Sequence, residues 1–437
     1  MDIEFHELRE SISSNDLARA STSRQRFVTG ALGALSVTLL AALIAVCVAL
    51  VHCKDAPPPL TPAAPKFTIS RQAFGQYTRI LIRNDGARLD RKYLLIGKTL
   101  FYFISRHSLA PLFALCMHTL TATDEYIALL PEVGGMVHQL TLRSGRDANQ
   151  LHTLLNNEPV PEFLPSSPMF RGARLIPWPN RIPNGRFSYD GTVFQVPIND
   201  ASHNNSIHGL LYKRNMTVAS ETISATQASV QFTFDFGAAA TRESGYPFPV
   251  LLRVEYALTA RGEFIATTTA TLRGAPGSSA PFGDGWHPYF ILAAGSTNAL
   301  FVRVPSASQV QLDPATLLPL PGAPVVPFTR IPPDGSLLRL YDMDVCLVVD
   351  LARTVIRRIG AEDVRVAETV LSHPDTRLEV VLFQEAAAYS YVQLFTQWGE
   401  VAVEPVTAPA NAFNTGVGLI RLEPGTPWTG RMGVYIV

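Results

Sequence analysis

Apolar and polar side chains trade places at every step from Val230 to Phe236. Val230, Phe232, Phe234 and Phe236 are separated by Gln231, Thr233 and Asp235, and Leu252, Val254, Tyr256 and Leu258 repeat the pattern. A period of two puts alternate side chains on opposite faces of an extended chain, whereas a helix would scatter them around its axis. The runs Ile265–Leu272 and Leu378–Phe383 are β-branched or apolar and also suit strands. Turn residues punctuate these runs: Pro183-Asn184-Gly185, Asp190-Gly191, Ala275-Pro276-Gly277, Pro333-Asp334-Gly335 and Pro424-Gly425. Beyond about Glu125 no strong amphipathic helix longer than two turns stands out. The expected fold is therefore all-β, a large antiparallel β-sandwich.

A different physical regime governs the beginning of the chain. Phe27 to Val51 holds 25 residues without a charge. At about 1.5 Å per residue such a helix crosses a hydrocarbon core of about 30 Å with some tilt. The run exceeds the apolar region of a cleaved signal peptide, so a retained signal anchor is expected. Arg19, Arg24 and Arg26 precede the span, and only Lys54 and Lys66 follow it closely. That bias places residues 1–26, a polar and disordered tail, in the cytosol. The large C-terminal part is then lumenal or extracellular. Residues 52–66 include Ala56–Pro65 (APPPLTPAAP), which reads as a stiff linker.

A second apolar region, Tyr93–Leu120, contains Lys98, Arg106, His107 and Pro111. Burying those charges at a bilayer centre would cost about 2.5–3.5 kcal/mol each, so the region is expected not to span. Lys and Arg number 36 against 36 Asp and Glu, which gives no basic footprint for a nucleic-acid partner. The four cysteines, Cys47, Cys53, Cys116 and Cys346, form no CxxC pair and so offer no zinc or thioredoxin-like motif. Cys47 and Cys53 fit either palmitoylation beside the membrane or small apolar positions in the helix. No nucleotide-binding glycine motif occurs.

Four segments concentrate polar and aromatic side chains. They are Phe170-Arg171-Gly172 through Gly191, with the stretch IPWPNRIPNGRFSYDG; Ser206–Gly209; Phe282–Phe290, with GWHPYF; and Val403–Asn414. Singly, each has a bland reading as turn residues, core aromatics or a solvated strand end. Together they supply an Arg, two His and a carboxylate near aromatic rings, the chemistry of a sugar pocket.

In this order and approximate spacing, PWPNRIPNGRFSYDG, IHG, GYPFPVLLRVEYAL, GWHPYF, VEPVTAPANAFN and LEPGTPW resemble the aldose 1-epimerase (galactose mutarotase-like) family. The resemblance runs from about Phe67, with a break, to Val437. It implies the galactose mutarotase-like supersandwich. It also implies Glu404 as general base and His287 as general acid, with Arg181, His208 and Asp342 binding substrate. Asp342 matches the family's acidic position best; Val345 replaces a phenylalanine there, which leaves Asp344 as the second candidate.

The implied reaction opens a hexose hemiacetal and recloses it on the other face. A base takes the O1 proton while an acid protonates the ring oxygen O5. Reference pKa values of about 4.3 for Glu and 6.5 for His would allow that pairing near neutrality. No metal or redox cofactor is expected. Two other readings use the same residues: a non-catalytic carbohydrate-binding module tethered to a membrane, and an epimerase of a hexose phosphate held by Lys213 and Arg214. Trp286 stands where better-known relatives often carry Asn, so no particular hexose is expected.

One stretch fits poorly. Phe67–Asn84 and Asp124–Leu142 look like neighbouring strand regions, yet residues 85–123 separate them. Insertions of that length are uncommon in compact domains. They are either a lineage-specific insertion or retained non-coding sequence.

Overall fold

The computed structural model describes residues 66–84, 124–146, 150–166, 169–238, 244–292, 300–338, 343–397 and 400–437. All of them fall within one compact unit, residues 63–437. The tail 1–26, the apolar span 27–51, nearly all of the linker, the Tyr93–Leu120 region, the 85–123 segment and Asp342 lie outside the described residues. Among the described residues no helix is long and apolar enough to cross a membrane.

The architecture is all-β and antiparallel, as the alternation predicts. The largest sheet has ten strands. It opens with Thr217–Ile223, Gln227–Asp235, Val250–Thr259 and Phe264–Leu272, each paired with the next. The C-terminal strand Trp428–Ile436 follows, then Leu378–Glu385 and Glu362–His373. Insertion of the last strand at the middle of the sheet ties the chain end to the core. The strand Val250–Thr259 buries Val250, Leu252, Val254 and Tyr256 against a more exposed partner set on its other face.

A six-stranded sheet is the second main layer. Its order begins Tyr289–Phe290, Glu400–Val406, Tyr391–Gln397 and Met343–Val348. A five-stranded sheet joins Phe67–Phe74, Tyr77–Asn84, Glu125–Leu130, Met136–Arg143 and Leu151–Thr153. One apolar core runs between these sheets. It takes Phe232, Tyr256 and Phe264 from the first, Leu394 and Val403 from the second, and Ile82, Leu129 and Leu140 from the third.

The five-stranded sheet places the long insertion. Tyr77–Asn84 pairs with Glu125–Leu130, and the register sets Asn84 directly against Glu125. Asn84 Nδ2 donates to Glu125 Oε2 at 2.8 Å, with both residues buried. The chain thus leaves one strand at residue 84 and re-enters its neighbour at residue 125. Residues 85–123 separate the two strands in the chain and lie outside the described residues.

Candidate active site

Four short segments, distant in sequence, are laced into one site by backbone hydrogen bonds. Gly172 N–H donates to His287 O at 2.9 Å, His287 N–H to Ala173 O at 3.1 Å, and Leu175 N–H to Gly285 O at 2.9 Å. Trp286 N–H donates to Pro405 O at 3.2 Å and Thr407 N–H to Asp284 O at 2.9 Å. Asn411 N–H donates to Arg181 O at 2.6 Å and His208 N–H to Asn180 O at 3.0 Å. Each bond joins two of the segments singled out in the sequence.

The backbone is held in unusual conformations to do this. Phe170, Asn180, His208 and Asn411 all have positive φ, at 52°, 58°, 64° and 62°. Left-handed conformations of non-glycine residues cost about 1–3 kcal/mol each and persist where surrounding structure enforces them. Gly209 follows His208 at φ 72°, and a Cβ there would lie 2.2 Å from Ile176 O. Only glycine permits that approach, which sets His208 at its place beside Asn180.

Four predicted residues, Glu404, His287, His208 and Arg181, line one cavity of about 940 Å³. His287 Nε2 lies 3.4 Å from Glu404 Oε1, and both side chains are buried. The His208 and His287 rings meet edge to face at 5.2 Å. His208 Nδ1 accepts the backbone N–H of Asn180 at 3.2 Å. A nitrogen that accepts carries no proton, so His208 is neutral and presents Nε2–H. Tyr289 stacks on His287, with centroids 5.0 Å apart and planes 12° apart. Arg171 lies over the Tyr289 ring at 5.4 Å and is held by Glu400 at 2.7 and 2.8 Å. Glu400 and Glu404 are four residues apart on one strand and so share a face.

Of the two candidate aspartates, Asp342 lies outside the described residues. Asp344, the second candidate, lines the cavity. Gln393 donates its Nε2–H to Asp344 Oδ1, and Arg181 Nη1 stands 4.0 Å from Asp344 Oδ2. Asp344 lies on the central strand Met343–Val348, beside the strand that pairs Gln393 with Glu404. Two further residues carried no legible signal. Gln393 bridges Asp344 and Asn180, whose Nδ2 donates to Gln393 Oε1 at 3.4 Å. Asp200 accepts from Arg181 Nε at 3.0 Å, in a plain loop segment. Burial alone would raise Asp200, but His203, Ser202 and Arg181 hold its pKa at about 2, so it remains a fixed anion orienting Arg181. Behind the site, Arg174 and Asp284 form a wholly buried ion pair.

Burial reverses the protonation expected from free side chains. It pushes the Glu404 carboxyl well above the usual carboxylate range; Asp344 adds to the rise and Arg181 opposes it. It pulls His287 down to about 3, with Arg171 contributing. Both shifts favour the uncharged forms, a protonated carboxyl and a neutral imidazole. Of the two cations expected to hold a phosphate, Arg214 donates to Ser244 Oγ at 2.6 Å, and Lys213 lines the cavity.

Among the described residues, His208, His287 and Glu404 also bring ligand atoms within 4.8 Å of one another. That is the donor set of a divalent-metal site, but its supporting bonds are wrong. A metal-bound imidazole usually donates its second N–H to an acceptor. His208 Nδ1 instead accepts a hydrogen bond from Asn180 N–H.

Comparison with known proteins agrees with the fold and the family. The chain is 29% identical to the uncharacterized protein YihR of Escherichia coli K12 over 322 residues, 72% of this chain and 91% of that one. Its fold superposes on a galactose mutarotase-like protein of Clostridium acetobutylicum with TM-score 0.63 and 19% identity, covering 85% and 98% of the two chains. Galactose 1-epimerase of Lactobacillus acidophilus superposes with TM-score 0.57 and 13% identity, covering 85% and 99%. The sequence profile described as aldose 1-epimerase matches residues 117–435. A match over that span, well over half of the chain, places the chain in the aldose 1-epimerase family.

Proposed function

We propose that this protein is a cofactor-independent mutarotase that interconverts the α and β anomers of a free hexose. The observation that carries the reading is the buried imidazole–carboxyl pair, His287 Nε2 to Glu404 Oε1 at 3.4 Å, facing a cavity that Arg181, His208 and Asp344 also line.

One proton serves the pair. On binding, sugar hydroxyls donate to Glu404, and with Arg181 they favour the carboxylate, so the proton passes to His287. Glu404 then accepts the O1 proton, C1–O5 breaks, C1=O1 forms, and His287 protonates O5. The products of this step are the open aldehyde, a protonated carboxyl and a neutral imidazole. This is the protonation state that burial favours, so the site stabilises the ring-opened stage. Rotation about C1–C2 presents the other face of the aldehyde, and the transfers run backwards. Each transfer contributes about 10²–10⁴-fold. Polarimetry on fresh α-glucose and α-galactose tests the reading. Relaxation no faster than in buffer, with saturable sugar binding, would make the protein a binding module instead.

The pH dependence follows from the one-proton requirement. Below the macroscopic pKa of His287 the pair gains a second proton and loses its base. Above that of Glu404 it loses its proton and has no acid. Burial moves the first limb down from the usual 6.5 to about 3 and the second up. The profile of kcat/KM should therefore show no acid limb near pH 6–7. A fall centred there would mean that a different group must be protonated.

We further propose that residues 27–51 anchor the chain with its β-domain lumenal or extracellular, on the strength of the uncharged apolar run and the Arg bias before it. Asn204 and Asn215 begin N-x-S/T sequons and both are exposed. Glycosidase treatment of the membrane-extracted protein should increase its mobility; unchanged mobility would remove the lumenal placement.

A further inference from the structure

A second cavity, of about 340 Å³, shares no lining residue with the catalytic one. Its size falls at the lower end of the ~300–1,000 Å³ typical of small-molecule sites. One wall is set by strand register at the edge of the ten-stranded sheet. Phe301, in the strand Phe301–Arg303, lies opposite Leu337 on one side and Ser372 on the other, and Ser372 lies opposite Glu379. Residues level with one another in neighbouring strands project to the same face, so these four make one row. All four are half-buried and line the cavity.

The cations come from outside that row. Arg146 follows the strand Met136–Arg143 and stands with Nη2 3.6 Å from Glu379 Oε2, its side chain 59% exposed. An ion pair that open is weak, so the guanidinium is free to turn to a ligand. Arg377 sits in the hairpin turn between His373 and Leu378, is exposed, and forms no ion pair among the described residues. Two guanidiniums and one carboxylate thus line the cavity. That excess of positive charge disfavours a metal ion and is left unmatched by a neutral ligand.

His373 is the residue that calls for a ligand. It is 7% exposed and lines the same cavity, and its buried Nδ1 has no hydrogen-bond partner among the described residues. Leaving a buried polar atom unpaired is costly. A neutral imidazole with its proton on Nδ1 can donate to an oxyanion, and the Ser372 hydroxyl can donate beside it.

From this juxtaposition we propose that the cavity is a second binding site, for a small organic oxyanion. Its carboxylate or phosphate group lies between Arg146 and Arg377 and reaches His373, and its apolar body rests on Phe301. The planar fork of a guanidinium matches either group. The site does not depend on the mutarotase reading, because none of its residues lines the catalytic cavity, so either claim can fail alone.

Calorimetric titration of the full chain with phenyl phosphate, benzoate and uncharged benzyl alcohol tests this. At least one of the two anions should bind about tenfold more tightly than benzyl alcohol. Arg377→Gln should weaken that anion about tenfold. His373→Leu should weaken it too and leave benzyl alcohol unchanged. Glu379→Gln, which removes the competing carboxylate, should tighten it. Arg146→Gln covers the case in which another variant does not fold. Tighter binding of phenyl phosphate marks a phosphate ester and tighter binding of benzoate a carboxylate; either order supports the site. The site is refuted if neither anion binds more tightly than benzyl alcohol, or if Arg377→Gln and Arg146→Gln both leave the affinity unchanged. Displacement of the anion by saturating glucose also refutes it, by placing the anion in the catalytic cavity. Anion binding as described, in a protein that does not accelerate mutarotation, would remove the catalytic reading and keep this site.

Discussion

Glu404→Gln should reduce catalysed mutarotation by at least about 10²–10⁴-fold, towards the rate in buffer, while sugar binding survives. The substitution keeps the size of the side chain and its ability to hydrogen-bond. It also keeps the backbone pairing of residues 404 and 393. What it removes is the carboxyl 3.4 Å from His287 Nε2, a group that can accept and return a proton. An amide cannot share one proton with an imidazole, so neither ring opening nor reclosure retains its base. The buried carboxyl is already favoured in its neutral form by desolvation, so a neutral amide should fold as well as the parent. Polarimetric rates, with calorimetric titration of the same preparation, make the comparison. An unchanged rate in the variant would take Glu404 out of the mechanism.

The second large effect concerns stability. Asp284→Ala should destabilise the β-domain by about 3–5 kcal/mol, the usual result of stranding one charge of a buried pair. Arg174 Nη2 donates to both oxygens of Asp284 at 2.6 Å and to Thr268 Oγ1 at 2.7 Å. Tyr389 Oη donates to Asp284 Oδ2 at 2.7 Å, and no part of either charged side chain reaches solvent. Without Asp284, the Arg174 guanidinium would remain in a site lined by Met432 and Trp286 neighbours with its charge uncompensated. Replacing both members, Arg174→Met with Asp284→Leu, should recover most of the loss, because an apolar pair has no desolvation penalty. Denaturant midpoints for the two variants check this. A single-variant loss below about 1 kcal/mol would show that the pair is not the clamp described.

Much of the strand framework was legible in the chain, because alternation is a local property. The run read around Leu252–Leu258 is the strand Val250–Thr259, and that around Val230–Phe236 is Gln227–Asp235. Arg181, His208, His287 and Glu404 were legible because each sits in a motif of unusual composition. The aspartate was harder. Asp342 and Asp344 are two residues apart in a strand-like stretch whose family marker is replaced by Val345; Asp344 lines the cavity, and Asp342 lies outside the described residues. Asp200 and Gln393 carried no mark at all, since an Asp in a loop and a Gln in a strand are ordinary residues there. Their roles arise from partners 19 and 49 positions away.

Composition and periodicity alone determine that this chain is a β-protein with an uncharged apolar segment before it, and motif order determines its family. Only tertiary structure decides that the imidazole at 287 and the carboxyl at 404 meet, that Asp344 lines the same cavity, and that burial favours the uncharged form of each. The reason is physical. Strand formation depends on neighbours one or two residues away, but pairing between distant strands sets which side chains share a cavity. Burial in that cavity then sets their charge, and burial is a property of the whole fold rather than of any segment.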